Sequence, residues 1–237
     1  PGPRLREYIR ALRAIFRAFR GDEKLAFDGD FHQFSLLPAQ WSPGPIDVPD
    51  PKIDIAAVNP WMLRMAGSEA DGVHVHPLNH PIYLRDTVLP EVAAGAVAAG
   101  RDPADVELIV PCFTVAGDTD EERSYWKEWA RVQVAFYGST PNYGFIFEQV
   151  DRRGTTEALR ERQKAGDLAG MSALIDDELL SHFVVEGPWD SIADGIVARY
   201  GDIATRVVLY FGGLAWMRDP STLEQFGEVA RDVIARS

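Results

Sequence analysis

Two short apolar runs, Ile53–Val58 and Gly72–His76, flank one helix-length segment, and this pattern constrains the fold more than any other. Runs rich in Val, Ile and Ala, without polar alternation, predict strands buried on both faces. Strands of that kind alternating with helices predict a parallel sheet covered by helices. The unit recurs, with strands predicted over 106–115 and 205–211 and helices over 60–70, 81–99, 120–136, 189–200 and 221–236. Residues 137–183 break the rhythm with two polar or amphipathic helical segments, 155–165 and 168–182, and read as an insertion.

Local chemistry marks the helix starts. Asn59 suits an N-cap and Pro60 the first helical position. A helix N-terminus at the carboxyl end of a strand gathers free N–H groups and the positive dipole end, which favours phosphates and carboxylates. On local pattern alone an ordinary capped turn is the commoner outcome. Thr119 and Glu122 have the spacing of a capping box. Ahead of these units lie a helix over 4–19, with Leu5, Tyr8, Ile9, Leu12, Ile15, Phe16 and Phe19 on one stripe, and a hairpin about Asp28-Gly29. Residues 36–51 read as a loop. The first helix has no preceding strand to pack on, so the chain is expected to be the C-terminal part of a longer protein.

Composition excludes several functions. The net charge is −12 and no run of Lys and Arg supplies a basic face, so a nucleic-acid partner is not expected. The arginines over 4–20 fall at helical spacing opposite the apolar stripe and read as a solvated face. The single cysteine, Cys112, excludes an internal disulfide and reads as a small core residue. No apolar stretch approaches the roughly 18 residues of a membrane span, and no signal peptide is visible, so a cytoplasmic protein is expected. His80 is the one nearby third ligand for His74 and His76, and no carboxylate is well spaced, so no metal site is expected.

The ordered series AAVNPWMLRMAGSEADGVHVHP, HPIYLRDTVLPEVAAGAVAAGRDPADVELIVPCFTVAGDTDEER, VAFYGSTPNYGFIFE and VVEGPWDSIADGIVARYGDIATRVVLY resembles the luciferase-like monooxygenase superfamily, in particular its F420-dependent oxidoreductases. The resemblance runs over essentially the whole chain. It implies an α/β fold, a (βα)8 TIM barrel of the luciferase-like type, of which residues 1–237 form about the C-terminal half: strands five to eight plus the insertion at 137–183. It further implies coenzyme F420 as cofactor, with FMN as the alternative, a small-molecule substrate, and a homodimer or larger homo-oligomer. A non-catalytic barrel relative is the reading from another class.

Carried over by position, the resemblance assigns Ala56, Ala57, Val58, Asn59, Pro60 and Trp61 to the cofactor phosphate. Val58-Asn59 stands where Gly-Gly is common in the family, so close backbone approach is less free there, and the Asn59 amide can donate instead. His74 and His76 lie two apart on a strand and share a face. His76 falls at the carboxyl end, the catalytic face of a barrel. It reads as a proton donor or substrate contact, or as a polar residue hydrogen-bonded at a strand end. Tyr137, Ser139, Thr140, Pro141 and Tyr143 suit a lid over a flat ring and a polar substrate, or an ordinary helix-ending turn. Gly187, Pro188 and Trp189 form a second possible anion-binding helix start, and Trp126 and Trp129 are expected to pack.

Overall fold

Strand and helix alternate from the third strand onward, as the apolar runs require. The computed structural model describes residues 2–45 and 47–236. In chain order the elements are α1 (Gly2–Arg20), the hairpin β1 (Phe27–Asp28) and β2 (Gln33–Phe34), β3 (Asp54–Ala56), α2 (Pro60–Glu69) and β4 (Gly72–His74). There follow α3 (Pro81–Tyr83), α4 (Leu89–Ala98), β5 (Glu107–Ala116), α5 (Asp120–Gly138), α6 (Gly144–Glu148), α7 (Thr155–Lys164), α8 (Leu168–Ala173) and α9 (Asp177–Ser181). The chain closes with β6 (Val184–Gly187), α10 (Ile192–Tyr200), β7 (Arg206–Leu209), α11 (Gly212–Arg218) and α12 (Thr222–Arg236). They form two compact units, residues 1–73 with 91–106 and residues 74–90 with 107–237. No helix among the described residues is long and apolar enough to cross a membrane.

In the first unit α1 buries Ile9, Ala11, Ala14 and Ala18, whereas Tyr8 from the expected stripe is exposed. The other stripe residues are buried or half-buried, and the arginines are not merely solvated. Arg10 Nε reaches both carboxylate oxygens of Glu69 at 3.1 Å, and Arg13 reaches Asp71 Oδ1 at 2.8 Å. Asp71 Oδ2 accepts the Ile53 N–H at 2.8 Å and so ties the start of β3 to the same pair. Burial pushes the Asp71 carboxyl up, but Arg13 and the Ile53 N–H overcome it and hold its pKa below the usual range. The hairpin pairs Phe27 with Phe34 and Asp28 with Gln33 about the expected turn. The carboxylate of Glu7 accepts the N–H groups of Asp30, Phe31 and His32 at 2.6–2.8 Å and fixes that turn to α1.

The second unit is built on β5, the longest strand. Its first half runs parallel to β7, Ile109–Cys112 against Arg206–Leu209, and its second half parallel to β6, Phe113–Ala116 against Val184–Gly187. Strand β6 is absent from the sequence reading, which opened a helix at 187–189. Its four residues are held by the ladder to β5, a partner 71 residues away. Burial raises the Cys112 thiol pKa to about 11, as expected of a core residue. The Thr119 and Glu122 capping box forms as read, with side-chain to backbone bonds of 3.2 Å in both directions. The expected helix over 168–182 is broken, because Asp176 accepts the Leu179 N–H and starts α9 afresh. Trp126 is buried on α5 as expected, but Trp129 is 40% exposed.

Glycines set a close helix contact in the first unit. A Cβ on Gly67 of α2 would fall on the Val92 carbonyl of α4, and one on Gly95 of α4 would fall on the Arg64 carbonyl of α2. Backbone on both sides leaves no flexible side chain to yield. We predict that Gly67→Ala costs about 1–3 kcal/mol of stability in urea denaturation, the range of overpacking. An unchanged midpoint would show that the two helices separate freely.

Candidate functional site

The loop that follows β4 is fixed by polar side chains. Val75 N–H donates to the Ile109 carbonyl at 3.0 Å, which carries the extended run one residue beyond the strand. Asn79, almost fully buried, then donates its amide to the carbonyls of His76 at 3.0 Å and Pro111 of β5 at 2.9 Å. Its oxygen faces the Tyr200 hydroxyl at 3.4 Å. His80 is equally buried. Its Nε2 donates to the Ile146 carbonyl of α6 at 2.9 Å, while Nδ1 accepts the Tyr83 N–H at 3.1 Å and caps α3. One anchor thus holds the loop to the sheet and the other to the insertion.

His76 lies between them. Leu78 N–H donates to its Nδ1 at 3.1 Å, so the ring proton sits on Nε2. Nε2 has no hydrogen-bond partner among the described residues. Tyr137, in the last turn of α5, meets the imidazole edge-on at 4.8 Å between centroids, and Tyr143 covers it at 4.6 Å. The Tyr137 hydroxyl pairs with that of Tyr210 at 2.6 Å. Burial alone lowers the His76 pKa to about 4, and burial is also the largest cause for His80, likewise at about 4. Both rings are therefore neutral near pH 7. His76 can donate a hydrogen bond from Nε2 but carries no acidic imidazolium proton there. Burial and the Tyr137 hydroxyl raise the Tyr210 phenol, which stays protonated.

The second unit thus brings His76, Tyr137 and Tyr143 together. It leaves His74 exposed at the end of β4. Ser139 is committed to structure: its hydroxyl donates to the Phe136 carbonyl at 2.7 Å at the end of α5. Thr140 and Pro141 open the 3-10 turn Pro141–Tyr143, where the Thr140 carbonyl accepts the Tyr143 N–H at 3.0 Å and positions that ring. Tyr210 and Asn79 escaped the sequence reading. The strand read over 205–211 enclosed Tyr210, whereas β7 ends at Leu209 and leaves the tyrosine directly after it.

The first unit carries the turn Ala56–Trp61. Ala57 is buried, Val58 half-buried, and Ala56, Asn59, Pro60 and Trp61 are exposed. Asn59 caps α2 as read, its Oδ1 accepting the Met62 N–H and its carbonyl the Leu63 N–H, both at 3.0 Å. Pro60 has no N–H, and the Trp61 N–H has no partner among the described residues. The Arg6 guanidinium lies 5.4 Å from the centroid of the Trp61 ring. Arg64 is held by Glu91. At the other proposed anion site, the Trp189 N–H already faces the Asp118 carboxylate at 3.3 Å and the helix begins only at Ile192, so that site is closed.

The family profile of luciferase-like monooxygenases matches residues 1–206. The chain belongs to this family. Within the luciferase-like monooxygenases it is 36% identical, over 211 residues, to an uncharacterized protein of Mycobacterium tuberculosis (strain ATCC 25618 / H37Rv), covering 89% of this chain and 62% of that protein. It is 31% identical over 137 residues to an F420-dependent glucose-6-phosphate dehydrogenase of Mycobacterium leprae, covering 56% of this chain and 37% of that one. The solved coenzyme F420 dependent tetrahydromethanopterin reductase of Methanopyrus kandleri has the same fold, with a TM-score of 0.67 at 21% identity, over 86% of this chain and 56% of that chain. The chain spans about half the length of the relatives it matches.

The half-buried His76 and the buried His80 of this luciferase-like chain give a pH signature. In the unfolded chain they protonate near 6.5, in the folded unit only near 4. The unfolded state binds more protons between these values, so stability falls as pH drops from about 6.5 to about 4. An NMR pH titration should place the His76 inflection near 4 while the protein remains folded. An inflection near 6.5 would show that the ring is solvated.

Proposed function

We propose that the intact protein is an F420-dependent oxidoreductase, transferring a hydride between the deazaflavin and a small organic substrate, and that this chain supplies about the C-terminal half of a (βα)8 barrel. The observation that carries the reading is the 31% identity to a dehydrogenase named as F420-dependent, inside a family that spans residues 1–206.

The chain's own residues fit such a cofactor. At the start of α2 the unpartnered Trp61 N–H points out of a capped helix end, where the dipole favours negative charge. The Asn59 oxygen is used by the cap, which leaves its amide N–H groups to donate outward. Arg6, whose guanidinium lies 5.4 Å from the Trp61 ring centroid and 3.8 Å from Glu69, adds a partly compensated positive charge beside this turn. These groups would hold the cofactor phosphate. The deazaflavin supplies the hydride chemistry when bound. On the protein side, His76 offers a neutral N–H at Nε2, Tyr143 shields that ring, and the Tyr137–Tyr210 pair holds a protonated hydroxyl beside it.

Fluorescence titration of the intact protein with F420 tests the reading. Saturable quenching at micromolar concentration is expected, and FMN binding in its place would turn the assignment towards a flavin monooxygenase. Asn59→Asp keeps a good cap but sets a carboxylate against the phosphate. It should weaken F420 about tenfold with no loss of thermal stability. Unchanged affinity would remove this turn from the site.

A further inference from the structure

The cluster around His76 offers several hydrogen-bond donors and, among the described residues, no cation. Tyr137 and Tyr210 bring two O–H groups to one hydrogen bond of 2.6 Å. One proton serves that bond, and the second hydroxyl proton remains to be given elsewhere. His76 adds the Nε2 N–H, fixed in that tautomer by Leu78. The Tyr143 ring leans on the imidazole at 49° and limits its movement.

Cations of the surrounding elements meet other partners: Arg199 of α10 donates to the Val184 and Ser181 carbonyls, and Arg218 of α11 lies over the Tyr125 ring. The last turn of α5 has no basic residue, and Arg131, two turns earlier, is paired with Glu128 and Asp177. Arg85, on the π turn Leu84–Val88 after the His76–His80 loop, is paired with Asp202. Arg206 stands at the opposite end of β7 from Tyr210 and is paired with Glu107. His80 is neutral and committed at both nitrogens. No charge contributes to the low basicity of His76; burial is its sole cause.

A phosphate or carboxylate placed against these donors would give up hydration without meeting a counter-charge, and such desolvation is costly. A carbonyl or alcohol oxygen needs only one or two neutral donors. We propose that Tyr137, Tyr210 and His76 form a subsite for the oxygen of an uncharged carbonyl or alcohol, and that this subsite rejects phosphorylated and carboxylated substrates. The proposal names the substrate class for the oxidoreductase reading above and rests on it.

The test uses the intact protein, with its histidines labelled with nitrogen-15, with and without F420. The Nε2 resonance of His76 is followed during titration with cyclohexanone and with 4-oxocyclohexanecarboxylate. A saturable shift with the ketone is expected, with the carboxylate at least about tenfold weaker, equivalent to about 1.4 kcal/mol. Removing both hydroxyls together (Tyr137→Phe with Tyr210→Phe) should weaken the ketone about three- to tenfold, because either single replacement leaves one hydroxyl proton free to donate. The comparison of ketone with carboxylate on the unaltered protein serves if that variant fails to fold. Equal or tighter binding of the carboxylate, no saturable shift, or unchanged ketone affinity in the double variant would overturn the subsite. Quenching of F420 fluorescence is scored separately. If F420 fails to bind while His76 still responds to the ketone, the cofactor reading falls and the subsite stands.

Discussion

Asn79 commits its whole side chain to one task, and the geometry of the second unit follows from it. Its amide bridges the carbonyls of His76 and Pro111, and its oxygen takes the Tyr200 hydroxyl. A buried amide with every group satisfied holds one arrangement firmly, because any displacement strands a polar group in an apolar interior. The loop after β4 is thereby locked to β5, and β5 in turn aligns β6 and β7. His76 emerges from this frame with its tautomer already set.

The electrostatic contrast between surface and site is sharp. Several arginines of the second unit are absorbed by outward ion pairs, such as Arg152 with Asp176 and Glu178 and Arg131 with Asp177, while Arg199 donates to backbone carbonyls and Arg218 lies over the Tyr125 ring. Exposed pairs of this kind add little stability. Their consequence here is that the ends of the strands are left with neutral donors: an imidazole N–H and phenolic hydroxyls. Neutral donors in a partly buried setting favour polar, uncharged oxygen atoms over anions.

Much of this was legible in the sequence where the cause is local. The Asn59 cap and the Thr119–Glu122 box depend on residues within three positions, and both form as read. The apolar run over 106–115 became β5 with a shift of one residue, since a strand paired along its whole length needs nothing more than continuous burial. Illegible features share a different cause. Strand β6 exists through its partner, Arg10 and Arg13 find Glu69 and Asp71 more than 50 residues away, and Tyr210 meets Tyr137 across 73 residues. In the candidate site, His76 and the tyrosines were read as separate groups, and their contact across more than 60 residues shows only in the structure. Ser139 was absorbed into the helix end, and His74 was left exposed, because a residue type alone does not reveal which backbone carbonyl a side chain will meet.

The assignment of F420 chemistry stands or falls on where the cofactor phosphate binds. A crystal structure of the intact protein grown with F420 measures this directly. The account predicts the phosphate within hydrogen-bond distance of the Trp61 N–H and the Asn59 amide, at the start of α2. A phosphate bound elsewhere, with that helix start left in solvent, would contradict it.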